Sequence, residues 1–212
     1  MTELAVTGAS TWLALPDGVP LVLASASPRR RDLLAQLDIA VDAILPAEID
    51  ESPRPGELPR PYAERMAAEK LAQVAGQRPE ALVLAADTVV AVGRRILPKT
   101  ETAAAAGACL DLLSGRGHRV LGAIALGLPG GGVRTRLVQT AVGFKRLDAS
   151  ERAAYLASGE WRGKAGGYAI QGRAAAFATR LNGSYSNVVG LDLHTVYQLL
   201  KGAGAAPSAT NR

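Results

Sequence analysis

The chain has 212 residues, with 24 Lys or Arg against 19 Asp or Glu, which gives a formal net charge of +5. Apolar residues make up 48% and charged residues 20%, proportions typical of a globular domain and not of a disordered chain. The chain has a single cysteine, Cys109, so it cannot form an internal disulfide. One cysteine and two histidines are also very few soft ligands, which argues strongly against a structural zinc site.

The positive charge has two interpretations: a mildly basic soluble protein, or a protein with an anionic partner such as nucleic acid, a nucleotide or acidic lipid. No apolar run approaches the ~20 residues needed to cross a bilayer. The first apolar stretch follows acidic Glu3 and no basic residue, unlike a secretory signal. We therefore expect a cytoplasmic protein with no membrane partner.

In chain order, residues 1–19 are predicted to be an N-terminal extension ending in the turn signal Pro16-Asp17-Gly18. Residues 20–201 are predicted to form a single domain, and the small, polar residues 202–212 a flexible tail. Strand-like and helix-like segments alternate within the domain. This alternation predicts an α/β fold around a mixed sheet.

The first predicted strand, VPLVLAS, leads into a helix over RRRDLLAQLDI, with Ser27 at the N-cap and Pro28 at the first helical position. A second helix is predicted from Pro61. The clearest strand follows it, over ALVLAADTVVAVG, as a continuous apolar run interrupted by one carboxylate.

The segment ETAAAAGACLDLLSG predicts a helix that ends at Gly115. Two strand-like segments, HRVLGAIALGL and VRTRLVQTAVGFKRL, flank a turn of three glycines and favour a hairpin. Asp148 and Glu151 have capping-box spacing at the start of the helix predicted over DASERAAYLASG. A last helix is predicted over LDLHTVYQLLKG.

Hydroxyl and guanidinium groups cluster at the first strand-to-helix junction, on Ser25, Ser27, Arg29 and Arg30. A helix start offers free N–H groups and the positive end of the helix dipole, and these side chains would add donors for phosphate oxygens. A capped surface helix with solvated arginines is the alternative. The Walker pattern G-x-x-x-x-G-K-[ST] is absent from the sequence.

Asp87 is a lone carboxylate in the apolar run of residues 84–90. Burying it is costly unless a partner, a metal or hydrogen bonds stabilise it. Facing a cleft, it would act as a general base or hold a divalent cation. A structural role, capping the strand or pairing with an arginine, is the alternative.

Other charged residues could complete a polyphosphate site with Asp87. Paired carboxylates suit Mg²⁺ or Mn²⁺, and lysines neutralise phosphate charge. The residues in question are Glu48, Asp50, Glu51, Glu69, Lys70 and Lys99. Each of them alone is typical of a solvated surface charge.

The glycine-rich segment 164–172 would let the backbone approach a ligand closely. Its Gln171 has both a donor and an acceptor, which suits the edge of a nucleobase. A turn-rich hairpin explains the glycines equally well.

Seven segments carry a resemblance that covers residues 21 to 200: LASASPRRRDLL, EIDES, AAEK, AADTVV, LLSGRGHRV, KAGGYAIQG and GSYSNVVGL. In this order they resemble the Maf-like nucleoside triphosphate pyrophosphatases. The resemblance implies a long twisted mixed sheet flanked by helices, with two lobes and a central cleft, as in the Maf and ITPase-like folds. It also implies metal-dependent hydrolysis of a nucleoside triphosphate to the monophosphate and pyrophosphate, and it suggests a homodimer.

The family motif also implies roles for individual residues. Asp87 falls at the proposed proton acceptor, and Glu51 at a position in the cleft. Our own hypothesis for the cation is that Glu51 holds Mg²⁺ or Mn²⁺, with Asp87 as a second candidate ligand. The positions implied to contact phosphates or line the cleft are Ser25, Arg29, Arg30, Lys70 and Lys99. The branch acting on dTTP and UTP has Arg, Thr and Gln at three specificity positions, which are Arg29, Thr88 and Gln171 here.

A non-catalytic nucleic-acid-binding or cell-division regulatory protein is the alternative function, supported by the net charge and the arginines at 29–31. Against it, only two Phe, two Trp and five Tyr are available for base stacking. We therefore expect a nucleoside triphosphate as the partner and no stable nucleic-acid complex. A phosphatase that releases orthophosphate is a third possibility.

Overall fold

A computed structural model describes residues 12–208 of the chain. Residues 1–11 and 209–212, and with them most of the predicted extension and the end of the predicted tail, lie outside the described residues. The strands are β1 Leu13–Ala14, β2 Leu21–Leu23, β3 Ala43–Ile44, β4 Leu82–Val92, β5 Arg95–Leu97, β6 Lys99–Thr100, β7 Gly117–Gly127, β8 Val133–Phe144, β9 Lys164–Ala165, β10 Ala178–Asn182 and β11 Ala206–Pro207. The α-helices are α1 Pro28–Ala35, α2 Pro59–Ala75, α3 Ala103–Leu113, α4 Ala149–Ser158, α5 Tyr185–Val189 and α6 Leu193–Gly202.

The central sheet has seven strands in the order β10-β8-β7-β4-β2-β3, with β5 added beside β4. Strand β2 is parallel to β3 and β4, whereas β7, β8 and β10 run antiparallel to their neighbours, so the predicted mixed α/β sheet is confirmed. Strands β7 and β8 pair along their whole length across the triple-glycine turn, as predicted.

Alternation along β4 divides the packing between the two faces of the sheet. Val83, Ala85 and Val89 face helix α2, while Leu84 and Ala86 face α1 and α6. At the far end of β4, Val90 packs with α3 and α4 in a third cluster. The cleft described below is lined by the start of α1 and by Val90 and Tyr168 of this third cluster.

One edge of β4 is interrupted, and this interruption positions the candidate site. Strand β2 pairs with β4 as far as Leu84, and β5 begins to pair with it at Val90. In the described part of the chain, residues 85–89 therefore have a ladder partner only on the β7 side. The backbone edge of β4 opens toward the cleft at this point.

Two local predictions at helix starts have different outcomes. The capping box of α4 is present, with Asp148 and Glu151 each bonding the other's backbone. Pro28 begins α1 as predicted and Ser27 is its N-cap, but the Ser27 side chain makes no capping bond. The Ser27 N–H instead donates to Ser25 Oγ at 3.2 Å.

Parts of the predicted extension and tail meet each other. Leu13 and Ala14 pair antiparallel with Pro207 and Ala206. The sequence predicts a flexible tail at Ala206 and Pro207 and no strand, because pairing between segments far apart in the chain leaves no local sequence pattern. No helix within residues 12–208 is long and apolar enough to cross a membrane.

Candidate active site

Asp87 and Thr88 place polar groups on opposite faces of the interrupted edge of β4. Asp87 lies within the strand rather than at its end, is 4% exposed and faces α2. Thr88 faces the α1 side, where its hydroxyl donates to the Gly190 carbonyl at 3.2 Å. A ligand lying across this edge can therefore reach polar groups from both faces.

Lys70, on α2, joins the two carboxylates that were proposed from the sequence. Its Nζ lies 2.6 Å from Asp87 Oδ1 and 2.6 Å from Glu51 Oε1, and only 5% of the residue is exposed. Glu51 Oε2 is also paired with Lys99. Because a buried charge is costly unless it is paired, these residues stabilise one another. The cluster is neutral, with two acids and two lysines.

The pKa of Glu51 reflects this arrangement. Burial alone would raise it, but hydrogen bonds and charge from Lys70 and Lys99 outweigh burial and hold the pKa at about 2. Glu51 is therefore ionised throughout the neutral range.

Arg30 is buried, and its guanidinium joins three segments of the chain. Its Nε donates to the Gly190 carbonyl at 2.9 Å, and its two terminal nitrogens donate to Ser25 Oγ at 2.9 Å and Thr88 Oγ1 at 3.2 Å. Burial lowers its pKa, while the charge of Asp87 opposes that shift. Arg29 is half-buried beside it, and burial lowers its pKa as well. Both arginines line the cleft.

The glycine-rich segment forms another wall of the cleft. A Cβ on Gly166, whose φ is +67°, would lie 2.8 Å from Val90, so this close approach requires glycine. Tyr168 also lines the cleft, and its hydroxyl lies 2.8 Å from His118 Nε2. Gln171 lines the cleft, as its proposed contact with a base requires.

Two adjoining cavities occupy this region. The larger, of about 370 Å³, is lined by Ser25, Arg29, Arg30, Glu51, Lys70, Thr88, Lys99 and Gln171 among others. The smaller, of about 210 Å³, contains Asp87 together with Tyr62 and Ile96. The two share Glu51, Thr88, Lys99 and Ala165. The arginine-bearing turn and Asp87 therefore open onto connected space.

The carboxylates can be compared with what a divalent cation needs. Within residues 12–208, no three His, Cys, Asp or Glu side chains come together as a metal cluster. Two acids, Glu51 and Asp87, converge on one ammonium group. Mg²⁺ commonly takes one or two protein carboxylates and completes its shell with water and substrate phosphates. The residues present fit such a shared site, whereas Glu48, Asp50 and Glu69 line neither cavity.

The chain matches the family described as Maf-like protein over residues 20–203. It belongs to the Maf-like family. A relative from Rhodospirillum rubrum, named dTTP/UTP pyrophosphatase, is 63% identical over 188 residues, covering 89% of this chain and 90% of the relative. Another of the same name, from Caulobacter vibrioides, is 59% identical over 190 residues, covering 90% and 98%. A solved Mycobacterium abscessus structure, described as nucleoside-triphosphatase / dITP/XTP pyrophosphatase, is 19% identical in sequence. The match covers 62% of this chain and 76% of that chain, with a TM-score of 0.39.

Sequence reasoning missed three residues of this Maf-like site. Tyr62 lines the smaller cavity and donates to the Glu51 carbonyl at 2.6 Å. Gly190 supplies the carbonyl that Arg30 and Thr88 share, and Lys164 lines the larger cavity. Lys164 lies in KAGGYAIQG and Gly190 in GSYSNVVGL, two of the segments that carry the family resemblance, so a signal was available for both. Tyr62 had no signal that separated it from a packing residue.

Proposed function

We propose that the protein is a nucleoside triphosphate pyrophosphatase that hydrolyses the α–β phosphoanhydride of dTTP and UTP. The observation that carries the proposal is the ion-paired group of Asp87, Lys70 and Glu51 at the interrupted edge of β4, in which Asp87 and Lys70 are buried. It adjoins a cleft that also holds Arg29 and Gln171. The names of relatives up to 63% identical support the same substrates.

The nucleotide spans the edge of β4 in this proposal. The base lies toward Gln171, which can both donate to and accept from a pyrimidine edge. The triphosphate lies against Arg29, Lys99 and Ser25. Arg30 contributes its positive charge to the same region, although the protein itself accepts bonds from its Nε and from both terminal nitrogens. Positioning and charge neutralisation supply most of the catalysis of phosphoryl transfer.

The reaction breaks the bond between the α-phosphorus and the bridging oxygen. A water oxygen bonds to the α-phosphorus, the bridging oxygen leaves with pyrophosphate, and the water proton passes to Asp87. A positioned carboxylate in this role contributes roughly 10²–10⁴ in rate. Thr88 and Gln171 would set the preference for dTTP and UTP.

Mg²⁺ or Mn²⁺ would be held by Glu51 and Asp87 together with substrate oxygens. When bound, the cation supplies positive charge to the triphosphate. Asp87 has two proposed roles, base and ligand, and the two compete for the same oxygens. A cytoplasmic location and a homodimer remain predictions, the latter tested by light scattering of the purified chain.

The test is product identification with a panel of triphosphates, with and without EDTA. Pyrophosphate and dTMP or UMP, formed only when the cation is present, support the proposal. Orthophosphate would select a phosphatase. Salt-sensitive retention of DNA or RNA without turnover would select the nucleic-acid-binding alternative.

A further inference from the structure

The loop that carries Glu51 has almost no secondary structure of its own. This segment, residues 45–58, joins β3 to α2 and contains one turn at residues 55–56; we call it the Glu51 loop. The Glu51 side chain nevertheless lies between Lys70 and Lys99 and is paired with both. The precision of that placement depends on what holds the loop.

Three side chains of α2 hold carbonyl groups of the Glu51 loop. Tyr62 Oη donates to the Glu51 carbonyl at 2.6 Å, and Gln73 Nε2 donates to the Glu48 carbonyl at 3.0 Å. Arg65 donates to the Ser52 carbonyl at 3.1 Å. The loop therefore takes its course from one helix.

Arg65 also forms a two-pronged ion pair with Glu57 at the other end of the loop. Its Nε lies 2.7 Å from Glu57 Oε1 and its terminal nitrogen 2.6 Å from Oε2. The two side chains are only 14% and 9% exposed. Glu57 Oε2 also accepts from the Arg54 N–H at 2.9 Å. A forked pair of this kind fixes orientation as well as distance.

The Arg65–Glu57 pair is separate from the cleft, because neither residue lines either cavity. The hydrogen bond and charge of Arg65 hold the pKa of Glu57 at about 2, so the pair is fully charged at neutral pH. Arg65 binds the carbonyl of Ser52, the residue next to Glu51. Glu57 accepts from the Arg54 N–H and so closes the turn at residues 55–56.

We infer that Arg65 and Glu57 are positioning residues that fix the Glu51 loop to α2 and thereby set where the Glu51 carboxylate stands in the cleft. The effect on the Mg²⁺ requirement rests on the proposed function. The attachment of the loop to α2 rests on the contacts alone. When a residue that orients a metal ligand without touching the metal is lost, metal affinity or activity typically falls by roughly 10–100-fold.

The test compares Arg65→Met and Glu57→Gln with Arg60→Met and Glu64→Gln. Arg60 and Glu64 form an exposed pair on the same helix, so these controls remove the same charges away from the loop. The first measurement is hydrogen–deuterium exchange of peptides covering residues 46–58 without substrate. The second is the Mg²⁺ concentration that gives half-maximal pyrophosphate release.

We expect exchange in residues 46–58 to rise in the Arg65 and Glu57 variants, and the Mg²⁺ requirement to rise by roughly tenfold or more. The rest of α2 and both controls should match the wild type. Combining Arg65→Glu with Glu57→Arg should restore part of each effect.

Unchanged exchange in the loop would overturn the inference, as would faster exchange with an unchanged Mg²⁺ requirement and turnover. If the wild-type protein released no pyrophosphate from any triphosphate, the proposed function would fail. The exchange measurement would still decide whether the pair holds the loop.

Discussion

Lys70 and Asp87 form a buried ion pair, with Nζ of the helix residue 2.6 Å from Oδ1 of the strand residue. The same Nζ lies 2.6 Å from Glu51 Oε1. One lysine thus serves both acids, and the removal of any one member leaves a buried charge with fewer partners.

Asp87→Asn keeps the shape of the side chain and removes its charge. We expect turnover of dTTP to fall by roughly 10²–10⁴, because the amide cannot take the water proton. Binding of a non-hydrolysable dTTP analogue, measured by calorimetry, should persist. Asp111→Asn is the control, since Asp111 is exposed and pairs with Arg152 outside the cleft. Near-normal turnover in Asp87→Asn would remove Asp87 from the mechanism.

Lys70→Met should destabilise the fold by about 3–5 kcal/mol, because it leaves Asp87 buried without its cation. Lys145→Met is the matched control: Lys145 pairs with Glu151 in a partly exposed position, where the loss of the pair is expected to cost roughly 1 kcal/mol. Urea unfolding followed by circular dichroism gives both free energies. Equal losses in the two variants would contradict a buried, stabilising role for the pair.

His118 makes stability depend on pH. Burial lowers its pKa from 6.5 to about 4, so the unfolded chain binds this proton more readily than the folded one. The contribution of His118 is fully present above pH 6.5 and is lost as the pH falls toward 4, by about 3 kcal/mol in all. His118→Gln should lose less stability than the wild type between pH 7 and pH 4. Parallel pH profiles would show that His118 is not responsible.

The sequence predicts the elements of this fold better than its site. The apolar run of β4, the hairpin of β7 and β8 and the capping box of Asp148 and Glu151 each follow from local patterns, and the structure contains them. The interruption beside β4 does not follow, because it depends on where β2 and β5 stop pairing.

Local sequence patterns also do not predict which charged residues pair with one another. Lys70 was typical of a surface charge by sequence, yet it is 5% exposed and holds two acids from other elements. Arg65 and Glu57 drew no attention, since single charges on a helix and in a loop are usually solvated. Only the three-dimensional contacts separate these from the exposed Arg60 and Glu64.

Gln171→Glu replaces a side chain that both donates and accepts with one that only accepts at neutral pH. We expect the ratio of kcat/KM for dTTP to that for dGTP to fall roughly tenfold or more, because a pyrimidine carbonyl loses its donor. Gln77→Glu, in an exposed position after α2, is the control. An unchanged ratio would show that Gln171 does not contact the base.

The position of water attack is tested most directly by hydrolysis of dTTP in ¹⁸O-labelled water, with mass analysis of both products. Attack on the α-phosphorus beside Asp87 predicts one labelled oxygen in dTMP and none in pyrophosphate. Label in the pyrophosphate would place the attack on the β-phosphorus and contradict the proposed reaction.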